Sequence, residues 1–327
     1  MKYQQSYHQA TIAKSISFVG VGLHSGEKVK VTLRPSVAAR GIFFNRKDVE
    51  QGKGIIDARW YNVSQTTLST VISNRFGASV STVEHLMSAL SGCGIDCVQI
   101  DIDGPEVPIM DGSAEAFVRS IKNAGKIYLD LPRYGIWIRQ PVSVTDGDKY
   151  ALLMPNSQPR ITLCIDFPGT VIGTQSFSTT MSENDYLETV GRARTFGFAE
   201  QVDQLRSIGF VLGGSMNNAI LVDGERILNP EGLRYQDEFV RHKVLDAIGD
   251  LALAGSPVMG HYYAYKAGHE LNQKLLHKLF VKVDSWSRMS IQDGAMLFGQ
   301  QNELYDEQYI QQALDRLELE KIGAQGL

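Results

Sequence analysis

One order of elements occurs twice in this chain, and it constrains the fold more than any other feature. A helix predicted from about Ser81 to Leu90 stops at Gly92 and Gly94, a strand follows over Cys97–Ile102, and a second helix starts near Ser113 and closes at Gly125. Later, a long helix from about Gln236 to Ala254 ends on Gly255. An apolar strand at Val258–Tyr265 and a helix at about Glu270–Phe280 follow it. Aligning EHLMSALSGCG with RHKVLDAIGDLALAG puts His85 and His242 at equivalent places near the starts of equivalent helices. Any two amphipathic helices can align this well, so the match alone leaves duplication and coincidence both open.

The remaining patterning fits an α+β chain. Residues 9–34 read as strands around a Gly-rich turn, with alternation in Lys28-Val29-Lys30-Val31-Thr32-Leu33-Arg34 that predicts a half-exposed strand. Ser81-Thr82-Val83-Glu84 fits a capping box at the start of its helix. YLDLPRYG at 128–135 reads as a connection, strands resume at Ile136-Trp137-Ile138 and run to about Phe167, and a helix is predicted near Glu183–Ala193. At 327 residues, two domains of ordinary size are expected. They are placed at 1–130 and 131–285, with a C-terminal extension at 286–327 whose segment 305–321, YDEQYIQQALDRLELEK, predicts an amphipathic helix.

Composition excludes several classes. Apolar residues at 43% and charged residues at 21% describe a globular chain. A net charge of −4 offers no broad positive field for a nucleic-acid backbone, so no nucleic-acid partner is expected, although a few Lys or Arg side chains could still hold a phosphate. Three cysteines, Cys93, Cys97 and Cys164, imply no disulfide framework. The N-terminus lacks an apolar leader, and no stretch approaches the ~18 apolar residues of a membrane span. A cytoplasmic monomer is the expectation.

The chemistry concentrates on Glu238–Asp250. His242, Asp246 and Asp250 fall at i, i+4 and i+8 and form a slowly rotating column on one helix face, so His242 and Asp246 can share one ion. Spacing alone equally allows a helix-surface hydrogen bond with Asp250 solvated. Against that stands the crowding of Val244, Leu245, Ile248, Leu251 and Leu253, which leaves little of the helix for water, so charges kept there need partners. Imidazole nitrogen and carboxylate oxygen suit Zn²⁺, and a third ligand with one open position makes a catalytic site. His85 is the candidate third ligand, and Glu84 beside it would reach a bound water unless it serves as the capping-box residue. His269 follows a strand and a glycine at a helix entrance, where it can act as general acid or be a solvated loop residue. His24, in GVGLHSG, carries the same ambiguity.

Taken together, GVGLHSG at 20–26, VSTVEHLMSAL at 80–90, PEVPIMDGSA at 105–114, GRARTFGF at 191–198, LGGS at 212–215, GLRYQDEFVRHKVLDAIGDL at 232–251 and YKAGHELNQKLL at 265–276 resemble the UDP-3-O-acyl-N-acetylglucosamine deacetylase family, the zinc enzymes of lipid A synthesis. The resemblance spans roughly residues 9–294; the segment 156–180 and the tail after about Leu304 fit it poorly. It implies two β-α-α-β-type domains of similar topology, with helices packed between two sheets and the metal at the domain interface. It also implies His85, His242 and Asp246 as zinc ligands, Glu84 as general base and His269 as general acid oriented by Asp250. Thr195 would supply a hydroxyl to the oxyanion, Lys243 would contact substrate, and Phe196 and Phe198 would line an acyl passage, with Leu23 and His24 also at the substrate.

The substrate so implied is UDP-3-O-acyl-N-acetylglucosamine, with acetate and the free amine as products. Two His and one Asp with water accommodate Fe²⁺ as well as Zn²⁺. Another metal-dependent amidohydrolase is a rival reading, although the chain lacks the His-Glu-x-x-His pattern of a standard metallopeptidase. A non-catalytic protein binding a nucleotide-sugar or acyl chain is a third.

Overall fold

A computed structural model describes residues 7–298. Its two main sheets have five strands each. The first contains β1 (Ile16–Val21), β2 (Lys28–Pro35), β3 (Ile42–Arg46), β4 (Ile55–Asp57) and β5 (Val98–Ile102), in the order β1-β2-β5-β3-β4. The second contains β6 (Val142–Asp146), β7 (Lys149–Met154), β8 (Arg160–Phe167), β9 (Gly173–Thr180) and β10 (His261–Tyr265), in the order β6-β7-β10-β8-β9. Strand senses also agree: β5 runs parallel to β3 and β10 parallel to β8, while every other neighbour pair in both sheets is antiparallel. A chance likeness between two helices would not carry over to sheet order and sense, so the repeat seen in the sequence is a repeat of whole units.

Each unit places one helix before its last strand and one after it. These are α1 (Glu84–Gly92) and α2 (Glu115–Ala124) in the first, and α3 (Glu238–Ala252) and α4 (His269–Val281) in the second. The β2 alternation emerges as read, with Val29, Val31 and Leu33 buried and Lys28, Lys30 and Arg34 outside. Both α1 and α3 are buried over most of their circumference because they pack on each other as well as on the layers beside them. Gly249 permits that approach: a Cβ there would lie 2.0 Å from the carbonyl oxygen of Glu84. The glycine therefore brings two helices together backbone to backbone at the residue next to His85.

Several local readings change. The capping box does not form, because Thr82 takes a left-handed φ of 55° and Glu84 becomes the first residue of α1. Ser81 Oγ then donates to the Pro105 carbonyl. Much of the expected connection at 128–135 is a strand, Lys126–Pro132, paired antiparallel with His8–Ile12. The predicted helix near Glu183–Ala193 shrinks to a π turn at Leu187–Gly191. Residues 160–180, which fit the family pattern poorly, form the β8–β9 hairpin, and β9 escaped notice because GTQSFSTT alternates without aliphatic residues.

Each unit also inserts a small three-stranded sheet ahead of its central helix: Val63–Gln65, Val71–Ser73 and Ser79–Val80 in the first, and Phe196–Phe198, Ile220–Asp223 and Arg226–Ile227 in the second. A helix that sequence reading missed, Ala199–Ser207, belongs to the second insert. Trp286–Ser290 pairs with Tyr134–Ile138, and Phe298 of the helix Ile291–Phe298 stacks on Trp137. The amphipathic segment 305–321 lies outside the described residues.

Candidate metal and active site

The α1–α3 contact brings His85, His242 and Asp246 together, each with a ligand atom within 4.8 Å of the others and all buried. Nε2 of His85 lies 3.5 Å, and Nε2 of His242 3.4 Å, from Oδ1 of Asp246. His242 Nδ1 is 3.1 Å from the Ala193 carbonyl, which can only accept, so Nδ1 carries the proton and Nε2 keeps its lone pair toward the cluster. Burial drives the His242 pKa down to about 3 and keeps the ring neutral. Burial opposes ionisation of Asp246, but His242 and Lys243 outweigh it and hold the carboxyl well below its usual range. Oδ1 of Asp246 is buried without a hydrogen-bond partner. A carboxylate oxygen left so between two imidazole nitrogens is costly, and a cation is the species that satisfies all three atoms.

Glu84 and His269 stand beside this cluster, with Oε1 and Nε2 4.0 Å apart. Burial raises the Glu84 pKa above the ordinary carboxylate range, against the pull of His269 and His85. Burial would lower His269, but Asp250 and then Glu84 and Asp246 overcome it and raise its pKa to about 9. The direct contact is His269 Nδ1 to Asp250 Oδ2 at 2.9 Å, so Asp250 both aims the ring and favours its protonated form. Asp250 also accepts from Asn272 Nδ2 at 2.8 Å and from Thr70 Oγ1 at 2.6 Å. Neither Thr70 nor Asn272 carried a sequence signal, because each is an ordinary polar residue until the fold brings it to Asp250.

A buried ion pair mounts the second insert on α3. Arg194 Nε and backbone N–H both reach Glu238 Oε1, at 2.9 and 3.0 Å, and Arg194 Nη1 reaches Glu231 at 2.7 Å. This pair holds the Ala193–Thr195 segment whose Ala193 carbonyl orients His242. Sequence reading passed over Glu238 and Arg194, although both lie in quoted motifs. Thr195 is pinned by its backbone to Gly112 and Ile220, at 2.8 Å each. Phe196 packs edge-on to Phe239 and to the His242 ring, and Phe198 sits against Phe167, so these half-buried rings make an apolar wall beside the cluster. Lys243 is no solvated lysine: its ammonium donates to Asp246 Oδ2 at 2.7 Å.

From the first unit, the loop carrying Leu23 and His24 reaches the second insert. The Leu23 carbonyl accepts from Gly213 at 3.0 Å and the His24 carbonyl from Leu212 at 3.1 Å, while the His24 ring meets Phe210 edge-on. Glu106 holds this loop, accepting from the backbone N–H groups of His24 and Ser25 and from Thr82 Oγ1. A side chain at Gly22 would collide with the Glu106 carboxylate. Burial, with repulsion from His269 as a smaller cause, keeps the His24 pKa below its usual value. The structure thus brings His85, His242, Asp246, Lys243, Glu84, His269 and Asp250 together, sets Phe196 on the His242 ring, and joins the loop of Leu23 and His24 to the insert that carries Thr195, Phe196 and Phe198.

Comparison with known proteins agrees with this geometry. Residues 9–281 match the family described as UDP-3-O-acyl N-acetylglycosamine deacetylase. The chain is 50% identical over 274 residues to a UDP-3-O-acyl-N-acetylglucosamine deacetylase of Myxococcus xanthus, covering 84% of this chain and 87% of that protein. It is 44% identical over 286 residues to the protein of that name from Campylobacter hominis, covering 87% and 96% respectively. For the Geotalea uraniireducens protein of the same name the values are 46% over 283 residues, 86% and 92%. A match over most of the chain at such identity makes this chain a member of the UDP-3-O-acyl-N-acetylglucosamine deacetylase family.

Proposed function

We propose that the chain hydrolyses the N-acetyl group of UDP-3-O-acyl-N-acetylglucosamine, releasing acetate and the free glucosamine amine for lipid A synthesis. The carrying observation is the buried His85–His242–Asp246 cluster with Glu84 and His269 beside it. Zn²⁺ is the ion we assign to these ligands, and when bound it supplies Lewis acidity toward water and the amide carbonyl.

The chain's own groups do the rest. Glu84, raised in pKa and therefore a stronger base than an exposed carboxylate, takes the proton of the attacking water. His269, protonated and held through Nδ1 on Asp250, gives its Nε2 proton to the departing nitrogen. The Thr195 hydroxyl donates to the oxygen on which negative charge develops. Lys243 keeps Asp246 ionised and borders the substrate, Phe196 and Phe198 wall the passage for the acyl chain, and Leu23 and His24 lie at the substrate. A cytoplasmic location fits the three free thiols Cys93, Cys97 and Cys164, which a reducing compartment preserves.

Acetate release from UDP-3-O-acyl-N-acetylglucosamine, run beside acetylated sugars and acetylated peptides, tests this together with metal analysis. Glu84→Ala should keep metal and fold while turnover drops by orders of magnitude. Activity confined to peptides, or full turnover in Glu84→Ala, would sink the reading.

A further inference from the structure

We propose that Thr70 is a positioning residue that holds the base and the acid of this reaction in register. The inference rests on the reading of Glu84 and His269 given above. Thr70 directly precedes the strand Val71–Ser73, only 2% exposed, and its three polar groups go to three parts of the site. Its N–H donates to Glu84 Oε2 at 3.0 Å. Its carbonyl accepts the Val83 N–H at 3.3 Å, fixing the entry of α1, which has no side-chain cap. Its hydroxyl donates to Asp250 Oδ1 at 2.6 Å.

The consequence lies in what each carboxylate would otherwise have. Among the described residues, the Thr70 amide is the one hydrogen-bond donor to Glu84, and the Thr70 hydroxyl is the one donor to Asp250 Oδ1. The other oxygen of Asp250 holds His269 and Asn272, and Asn272 Oδ1 accepts from the buried Tyr262 hydroxyl. Asp250 is therefore gripped at both oxygens. Without the hydroxyl its carboxylate can turn about Cβ–Cγ, and the His269 ring turns with it. β-branching suits this task, since threonine's restricted χ1 aims the hydroxyl before substrate arrives. One residue thus sets the 4.0 Å spacing between Glu84 and His269 from both sides.

Thr70→Val keeps shape and amide and removes only the hydroxyl. We expect kcat for acetate release to fall about ten- to hundred-fold, with KM within about two-fold and metal content unchanged. Thr70→Ser should recover kcat to within about three-fold, which loss of packing alone would not explain. In a His269→Gln background, Thr70→Val should add less than about two-fold, because the group through which it acts is already gone. Wild-type kcat in Thr70→Val, or its full effect repeated in the His269→Gln background, would overturn the inference. If Thr70→Val does not fold, Thr70→Ala is judged by the same outcomes. Full turnover in His269→Gln would remove the acid assignment beneath the inference, whereas a crippled His269→Gln with a silent Thr70→Val overturns the role of Thr70 alone.

Discussion

Replacing Gly249 by alanine tests whether the helix contact, rather than the ligand residues alone, makes the site. On an isolated helix the change is favourable by about 1 kcal/mol, since alanine has the better helix propensity. Here the new Cβ would sit 2.0 Å from the Glu84 carbonyl oxygen, 2.7 Å from its carbonyl carbon and 2.9 Å from its Cα. All three are backbone atoms of α1 and cannot swing aside, so relief requires α1 and α3 to part by about 1 Å or more. Overpacking of this kind costs about 1–3 kcal/mol, and with three backbone atoms in the way we take its middle, about 2 kcal/mol, which against the propensity gain leaves a net loss of about 1 kcal/mol. At about 2–4 °C per kcal/mol, the melting temperature should drop by a few degrees. The effect on turnover is larger, because the displaced residue is Glu84 and its neighbour is His85, and a displacement near 1 Å costs about 100-fold in rate. Steady-state acetate release, thermal melting and metal analysis on the purified variant measure all three quantities. A variant that melts higher than wild type and keeps its kcat would refute the claim that this backbone contact sets the site.

Further outcomes follow from the same geometry. Because His269 must be protonated to serve as acid, kcat should fall as pH rises toward its value of about 9, with a bound cation moving that limb lower, and His269→Gln should abolish the limb in a pH–rate profile. Its raised pKa also means that His269 contributes stability fully below 6.5 and loses it as pH climbs through about 9, which denaturant melts of metal-free protein across that range will register. Glu238→Ala leaves the buried Arg194 with only the half-exposed Glu231 and the Gly232 carbonyl and should cost about 2–3 kcal/mol in denaturant unfolding; a loss under about 1 kcal/mol would show the pair to be dispensable. Treatment with a chelator should abolish acetate release while leaving the far-ultraviolet circular dichroism intact, since the ligand helices are held by their own core, and added Zn²⁺ should restore it.

Much of the fold was legible because periodicity reports burial. The alternation of β2, the glycine stops at Gly92, Gly94 and Gly255, and the apolar crowding of α3 are local consequences of which side chains meet water. Where two local rules compete, reading failed. Ser81–Glu84 satisfies the capping-box pattern, yet the left-handed Thr82 and the Thr70 amide decide the helix start and the Glu84 partner. The strand β9 is built from Ser, Thr and Gln on a sheet edge, where hydrophobic patterning has nothing to detect.

For the site, the residue types and the i, i+4 spacing already pointed to His242 and Asp246, and the motifs added His85, Glu84 and His269. Those choices depend on side-chain chemistry and helical pitch, which a linear chain carries with it. Spacing could not distinguish a metal column from a surface hydrogen bond, nor show that Lys243 binds Asp246, that Arg194 locks onto Glu238, or that Thr70 touches both carboxylates. The Arg194 and Thr70 contacts join residues distant in the chain, and the cluster itself depends on how closely two helices approach, which Gly249 settles by lacking a single carbon atom.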